Sequence, residues 1–200
     1  DKLEEDGQLV RISEPVSADR EITEIHKRTL HAGGPVLSFE NVVHEDGRRA
    51  EMPVVAILFG TVARVARGVT LDGKERRSPS DLREVGQLIA FLRQPEPPSG
   101  LKEALGLLPL AKTVLQMRPK TVGGGLLGGS APVQEVVLEG DDVDLDRLPI
   151  QGCWPGEPAP LITWPLIVTR GPSGRKEDGY NLGVYRMQKL GKNKLIMRWL

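Results

Sequence analysis

The sequence predicts an α+β protein, with an N-terminal α/β domain over residues 1–115 and a mostly β domain over residues 116–200. Three observations carry that expectation. Residues 8–60 alternate short apolar runs with one helically spaced segment. Pro95-Glu96-Pro97-Pro98-Ser99-Gly100 interrupts any regular element and punctuates the chain on a domain scale. Beyond Pro132 the pattern changes to short strands separated by turns, as in an incomplete barrel.

The elements of the first domain follow in order. Asp1-Lys2-Leu3-Glu4-Glu5-Asp6-Gly7 reads as the last turns of a helix stopped by glycine. Gln8 to Ile12 is a short strand, and Glu14 to Asp19 leads into a helix from Glu21 to His31 with Ile22, Ile25 and Leu30 at helical spacing. Ala32-Gly33-Gly34-Pro35 ends it, and Val36 to Phe39 is the next strand. Asn41 to Glu51 is a charged loop, whereas Pro53 to Gly60 is a continuous apolar run suited to an inner strand. Val62 to Val69 forms a short helix. Ser80 is a cap candidate for another, which carries Leu82, Val85, Leu88, Ile89 and Leu92 on one face and stops before Pro95. Leu101 to Leu115 reads as one or two helices broken at Pro109, and Gly123 to Gly129 as a linker or a loop around a ligand.

In the second domain Val133 to Leu138 alternates as a strand, Gly140-Asp141-Asp142 turns, and Leu148-Pro149-Ile150 is a short strand. Leu161 to Arg170 is a strong strand interrupted at Pro165, and Gly171 to Gly179 is a charged turn. Asn181 to Arg186 reads as a strand, yet by period two these two polar residues face opposite ways; a bulge near Gly183 would reconcile them. Leu190 to Lys194 is a turn, and Leu195 to Leu200 is a second strand or the start of a helix.

Lysine plus arginine and aspartate plus glutamate each total 27, so net charge offers no long-range argument for nucleic acid. A single cysteine, Cys153, excludes an internal disulfide scaffold and a thiolate-rich metal centre. Leu161 to Val168 is far shorter than the roughly 20 apolar residues that span a bilayer. With no basic and apolar export signal at its start, the protein is expected in the cytoplasm.

The candidate chemistry lies near residue 186. Guanidinium groups at Arg186 and Arg198 with the Asn181 amide suit a phosphate or carboxylate; the plainer reading is a β-hairpin with a basic turn at Lys189, Lys192 and Lys194. The acidic run from Asp141 to Asp146 lacks the glycine and terminal glutamate of a calcium loop, so Asp142 or Asp144 is expected to cap a turn. Cys153 has no histidine nearby in sequence and reads as a small buried residue. His26 and His31, five apart on one helix, do not share a metal, and Gly123 to Gly129 lacks the lysine of a nucleotide phosphate loop.

A set of short tags adds to this reading: Glu21-Ile22-Thr23-Glu24-Ile25, Leu58-Phe59-Gly60-Thr61, Gly140-Asp141-Asp142-Val143-Asp144-Leu145, Cys153-Trp154-Pro155, Ile162-Thr163-Trp164, Asn181-Leu182-Gly183-Val184-Tyr185-Arg186 and Gly191-Lys192-Asn193-Lys194. In this order they resemble the UbiD family of reversible decarboxylases, and within it the members of ubiquinone synthesis. The resemblance implies an N-terminal α/β domain followed by part of a flavin-reductase-like split β-barrel. It also implies prenylated flavin mononucleotide (prenylated FMN) with manganese (Mn2+) and potassium (K+) as cofactors. By similarity Asn181 would be a metal ligand and Arg186 the basic catalytic residue. Val184, Tyr185, Arg186, Arg198, Trp199 and Leu200 would line the cofactor.

The implied reaction is non-oxidative decarboxylation of a 4-hydroxy-3-polyprenylbenzoate or a related aromatic or unsaturated acid, with the flavin as electron sink. A non-catalytic flavin- or anion-binding module is the alternative. The resemblance places the histidine, glutamate and acidic groups that complete the site after residue 200, so the chain is expected to be trimmed and inactive alone. Implied partners are the small carboxylic acid substrate, an enzyme supplying prenylated flavin, and further copies of the full-length chain. Nucleic acid is not among them, and peripheral association with the inner membrane is compatible with the long-tailed substrate.

Overall fold

The computed structural model describes residues 2–69, 79–94, 100, 105–107, 112, 115, 131–172 and 179–198. Contacts divide the chain into two compact units, Asp1–Leu58 with Leu138–Leu200, and Phe59–Val137. The first unit thus contains both the N-terminal layer and the late strands.

The N-terminal layer begins with α1 (Lys2–Glu5), β1 (Leu9–Ile12), β2 (Val16–Ser17), α2 (Glu21–His31), β3 (Val36–Phe39), β4 (Val42–Val43) and β5 (Val54–Ala56). β3 is the middle strand of a sheet ordered β1-β3-β5, parallel to β1 and antiparallel to β5, while β2 and β4 form a second, parallel ladder. All four residues of β3 are buried, as a strand covered on both faces requires. Ile22 of α2, Phe39 and Val42 are the closed centre of the core, joined by Val16, Ala18, Leu37, Val54 and Ile57. α2 occupies the predicted residues, and its start is secured by the Glu21 carboxylate accepting from Ser17 N–H at 2.7 Å.

One expectation for this layer changes. The apolar run at Pro53 to Gly60 yields only the three residues of β5, on the sheet edge with Val55 exposed. Ile57 takes a left-handed φ of 64°, which turns the chain out of the sheet, and Leu58 is exposed.

In the second unit Phe59 is exposed, and α3 (Val62–Gly68) is capped by Thr61, whose hydroxyl accepts from Arg64 N–H at 3.3 Å. α4 (Pro79–Arg93) starts one residue before Ser80, so Ser80 is inside the helix rather than its cap; Val85 is buried, and Ile89 and Leu92 are exposed. Val133 to Leu138 is not a strand: Pro132–Gln134 forms a 3₁₀ turn and the valines face water, with no partner strand beside them among the described residues. The helices expected at Leu101 to Leu115 and the glycine run lie mostly or wholly outside the described residues, as do the turn at Ser173 to Asp178 and the pair Trp199 and Leu200.

The late strands are β6 (Leu161–Ile162), β7 (Leu166–Arg170), β8 (Tyr180–Val184), β9 (Met187–Gly191) and β10 (Lys194–Met197). β9 is central in the antiparallel order β10-β9-β6, and β7 pairs with β8 as a two-stranded ribbon. Leu166 stands opposite Val184 and Val168 opposite Leu182, giving one face of the ribbon an exposed apolar ladder. The expected interruption at Pro165 falls between β6 and β7. Leu148-Pro149-Ile150 forms no strand; the isolated bridge Gln151↔Leu161 follows it instead.

Because Ile22 is fully buried at the centre of the core, Ile22→Ala is expected to cost about 2–5 kcal/mol of stability, measured by urea unfolding. Leu92→Ala, at an exposed helix position, should change it by no more than about 0.5 kcal/mol.

Candidate functional site

The site is assembled where the ribbon hands over to β9. The β7–β8 register is regular from Leu166↔Val184 to Arg170↔Tyr180, so the bulge expected at Gly183 is absent. The parity conflict resolves differently: β8 ends at Val184, and Tyr185 and Arg186 lie in the connection to β9. Arg186 is therefore released from the alternation that governs Asn181. Gly183 serves the Tyr185 ring, which occupies the space a side chain at 183 would fill, and the Tyr185 hydroxyl accepts from Asn181 Nδ2 at 3.4 Å.

A cavity of about 680 Å³ opens here, within the range of small-molecule sites. Val184, Tyr185, Arg186 and Arg198 all line it, with Leu161, Trp164 and Ile196 supplying apolar wall. Of the residues expected at the site, Asn181 is not in the cavity lining and reaches it through its bond to Tyr185, and Trp199 and Leu200 lie outside the described residues. Trp164, Met187 and Gln188 are lining residues that the sequence reading did not assign. The available signal was a large aromatic directly before Pro165, where a left-handed backbone (φ 62°) interrupts the strand.

Two guanidinium groups beside apolar and aromatic walls fit a flat aromatic anion such as a flavin phosphate. A divalent cation is not fitted in the same way. Among the described residues no three His, Cys, Asp or Glu side chains stand together as a metal site, and Asn181 alone offers one amide oxygen.

Neighbouring groups hold the site from behind. Gln188 Nε2 donates to Ala159 O at 3.1 Å, and Lys189 forms an ion pair with Asp146. Asp144 caps the turn of the acidic run as expected, accepting from Asp146 N–H at 2.8 Å. Cys153 is half-buried, and its N–H donates to the Glu157 carboxylate at 2.8 Å. Burial pushes the Cys153 thiol above its ordinary 9.0, an effect reinforced by Glu157 and opposed by a hydrogen bond with Thr23 and by the charge of Arg186. A second cavity of about 380 Å³ carries His44, Asp46, Arg48, Asp146 and Lys189; there Arg48 N–H holds the Asp46 carboxyl below its usual range.

These features are those of an α+β fold with mixed sheets and a polar–aromatic cavity at the β8–β9 turn. Residues 1–89 match the family model for the 3-octaprenyl-4-hydroxybenzoate carboxy-lyase N-terminal domain, and residues 126–200 match that enzyme's Rift-related domain. The chain belongs to the UbiD family. Solved structures share the fold. The UbiD-class enzyme HmfF from Pelotomaculum thermopropionicum, in complex with FMN, is 23% identical with a TM-score of 0.62, covering 100% of this chain and 35% of its own. An evolved dimeric form of HmfF in complex with prFMN is also 23% identical, with a TM-score of 0.63 over 100% of this chain and 36% of its own. The vanillic acid decarboxylase of Sedimentibacter hydroxybenzoicus in closed form is 21% identical with a TM-score of 0.65, over 100% and 36% respectively. The chain thus spans about a third of the length of these structures.

A thiol with a raised pKa is a slow nucleophile. At pH 8 folded Cys153 is expected to react with iodoacetamide more slowly than in the urea-unfolded chain, followed by mass spectrometry. The stability its neutral form supports is present below about pH 9 and is lost as pH rises through the raised folded value.

Proposed function

We propose that this chain forms the cofactor-binding part of a prenylated-flavin-dependent decarboxylase that acts on an aromatic or α,β-unsaturated carboxylic acid. The observation that carries the reading is the convergence of Val184, Tyr185, Arg186 and Arg198 on one cavity, together with the family match. The FMN and prFMN held by the HmfF structures support the choice of cofactor.

In this reading Val184, Tyr185, Arg186 and Arg198 hold the flavin, and Trp199 and Leu200 belong to the reading through the family likeness alone. When bound, the modified flavin supplies an electron sink for the departing carbon dioxide. Arg186 binds the acid's carboxylate through two parallel N–H bonds, a fork that a point charge cannot reproduce. Leu161 and Ile196 supply apolar wall beside the bound rings. No Asp, Glu or His lines the cavity among the described residues, so the returning proton comes from an acidic group elsewhere in the protein. Asn181 would give one oxygen to a manganese site whose other ligands also lie elsewhere, and potassium belongs to the reading on the same terms.

The finer substrate is a 4-hydroxy-3-polyprenylbenzoate, which places the reaction in ubiquinone biosynthesis. A largely apolar groove of about 310 Å³, with Val54, Leu148, Ile150 and Ile162 in its lining beside the polar Gln151 and Thr163, shares Leu161 with the cavity and supports a long apolar tail. The organisation in this reading is an N-terminal domain over 1–115 and part of a split β-barrel over 116–200, with the two family matches on either side of the division. The full-length protein is a homo-oligomer, as the dimeric HmfF form suggests, and receives its flavin from a prenylating enzyme. None of the described helices is long and apolar enough to cross a membrane; the reading places the protein in the cytoplasm, peripheral to the inner membrane. A non-catalytic flavin- or anion-binding module is the second reading, and it rests on the same two guanidinium groups beside an aromatic wall.

In the full-length protein loaded with prenylated FMN, Arg186→Lys is expected to lower the single-turnover decarboxylation rate about 100-fold or more at equal flavin content. Unchanged rates would remove Arg186 from catalysis. Flavin binding without turnover of phenylacrylic or polyprenylbenzoic acids by the wild type would establish the binding module. Asn181→Ala is expected to reduce retained manganese, by metal analysis, while shifting stability by no more than about 1 kcal/mol.

A further inference from the structure

Trp164 combines two costly properties. Its backbone is left-handed, at φ 62°, a conformation that bulky side chains avoid and that glycine adopts freely. The following residue, Pro165, further restricts the backbone of the residue it follows. Its indole is also 76% exposed, so burial does not offset that strain.

The residue stands between β6 and β7, on the wall of the cavity that carries Arg186 and Arg198. The other aromatic ring of that wall, Tyr185, is already engaged with Gly183 and Asn181. Strained backbone at a ligand site persists when it presents a side chain that the site requires. A flat, water-exposed indole beside two guanidinium groups matches a planar aromatic ring bearing an acidic substituent, since ring faces stack on one another and the charges hold the acid.

We propose that Trp164 is the stacking residue of this cavity, packing its indole on the aromatic ring of a bound anion whose acidic group is held by Arg186 and Arg198. The ring belongs either to the flavin or to the aromatic acid, and this inference rests on the flavin and aromatic-acid reading of the cavity.

The test compares wild type with Trp164→Ala, Trp164→Gly and Trp164→Phe. Binding of FMN is followed by flavin fluorescence and binding of 4-hydroxybenzoate by calorimetry, with melting temperatures measured without ligand. Trp164→Ala and Trp164→Gly should weaken one of the two ligands about tenfold or more. Trp164→Phe should restore it to within about threefold of wild type. Loss confined to FMN identifies the flavin ring as the stacked one, and loss confined to 4-hydroxybenzoate identifies the acid. Trp164→Gly should melt no lower than Trp164→Ala, because glycine relieves the left-handed strain. Unchanged affinity for both ligands in Trp164→Ala, with only a lowered melting temperature, would reduce Trp164 to a structural residue and overturn the inference. Failure of the wild type to bind either ligand would overturn the reading of the cavity itself, a result distinct from equal binding by wild type and variants.

Discussion

Everything at the cavity depends on how the segment around Gly152 lies against Asp19. The two residues form a parallel bridge, Arg20 N–H donates to Gly152 O at 2.7 Å, and a side chain at 152 would overlap the Asp19 carboxylate. That contact fixes Gln151, whose carbonyl accepts from Leu161 N–H at 3.0 Å and so fixes β6. β6 in turn pairs Leu161 with Gln188 and Ile162 with Met187, which sets the start of β9 and therefore the position of Arg186 one residue earlier. The chain of consequence runs from a glycine at the N-terminal layer to a guanidinium at the site.

Charge reinforces this arrangement at its far end. The acidic run is a clamp on the basic hairpin: Asp146 pairs with Lys189, Leu145 N–H donates to Lys192 O at 2.7 Å, and Lys192 Nζ donates to Asp141 O at 3.3 Å. The Arg147–Glu51 ion pair, at 2.9 Å, ties the same run to the N-terminal layer. The exposed Arg147–Glu51 pair contributes little to stability, so its value is in register. The three lysines of the turn are thus partly accounted for by their acidic neighbours, and the two arginines are left facing the cavity.

The elements legible in the sequence are those that a single short-range rule decides. Helical spacing locates α2, the short, mostly apolar Val36-Leu37-Ser38-Phe39 locates β3, and the capping chemistry of Asp144 is visible in the acidic run. Long-range pairing decided the rest. Val133 to Leu138 alternates like a strand but has no partner among the described residues, and Pro53 to Gly60 is apolar throughout but leaves the sheet at Ile57. At the site, Arg186 and Arg198 are legible from their guanidinium chemistry as an anion pocket, whereas Val184 and Tyr185 are legible only through the family likeness. Trp164 stayed hidden because a single left-handed residue leaves no periodic trace.

The ribbon of β7 and β8 carries a consequence for handling this protein. Leu166, Val168, Leu182 and Val184 present apolar surface to water, and among the described residues each strand has one unpaired edge. Such an edge beside an apolar face is a template for another strand, from any chain that meets it at high concentration. Colloidal behaviour, rather than folding, then sets the practical ceiling on concentration, and lysine or proline on the outer edge of β7 is where solubility can be gained without touching the cavity.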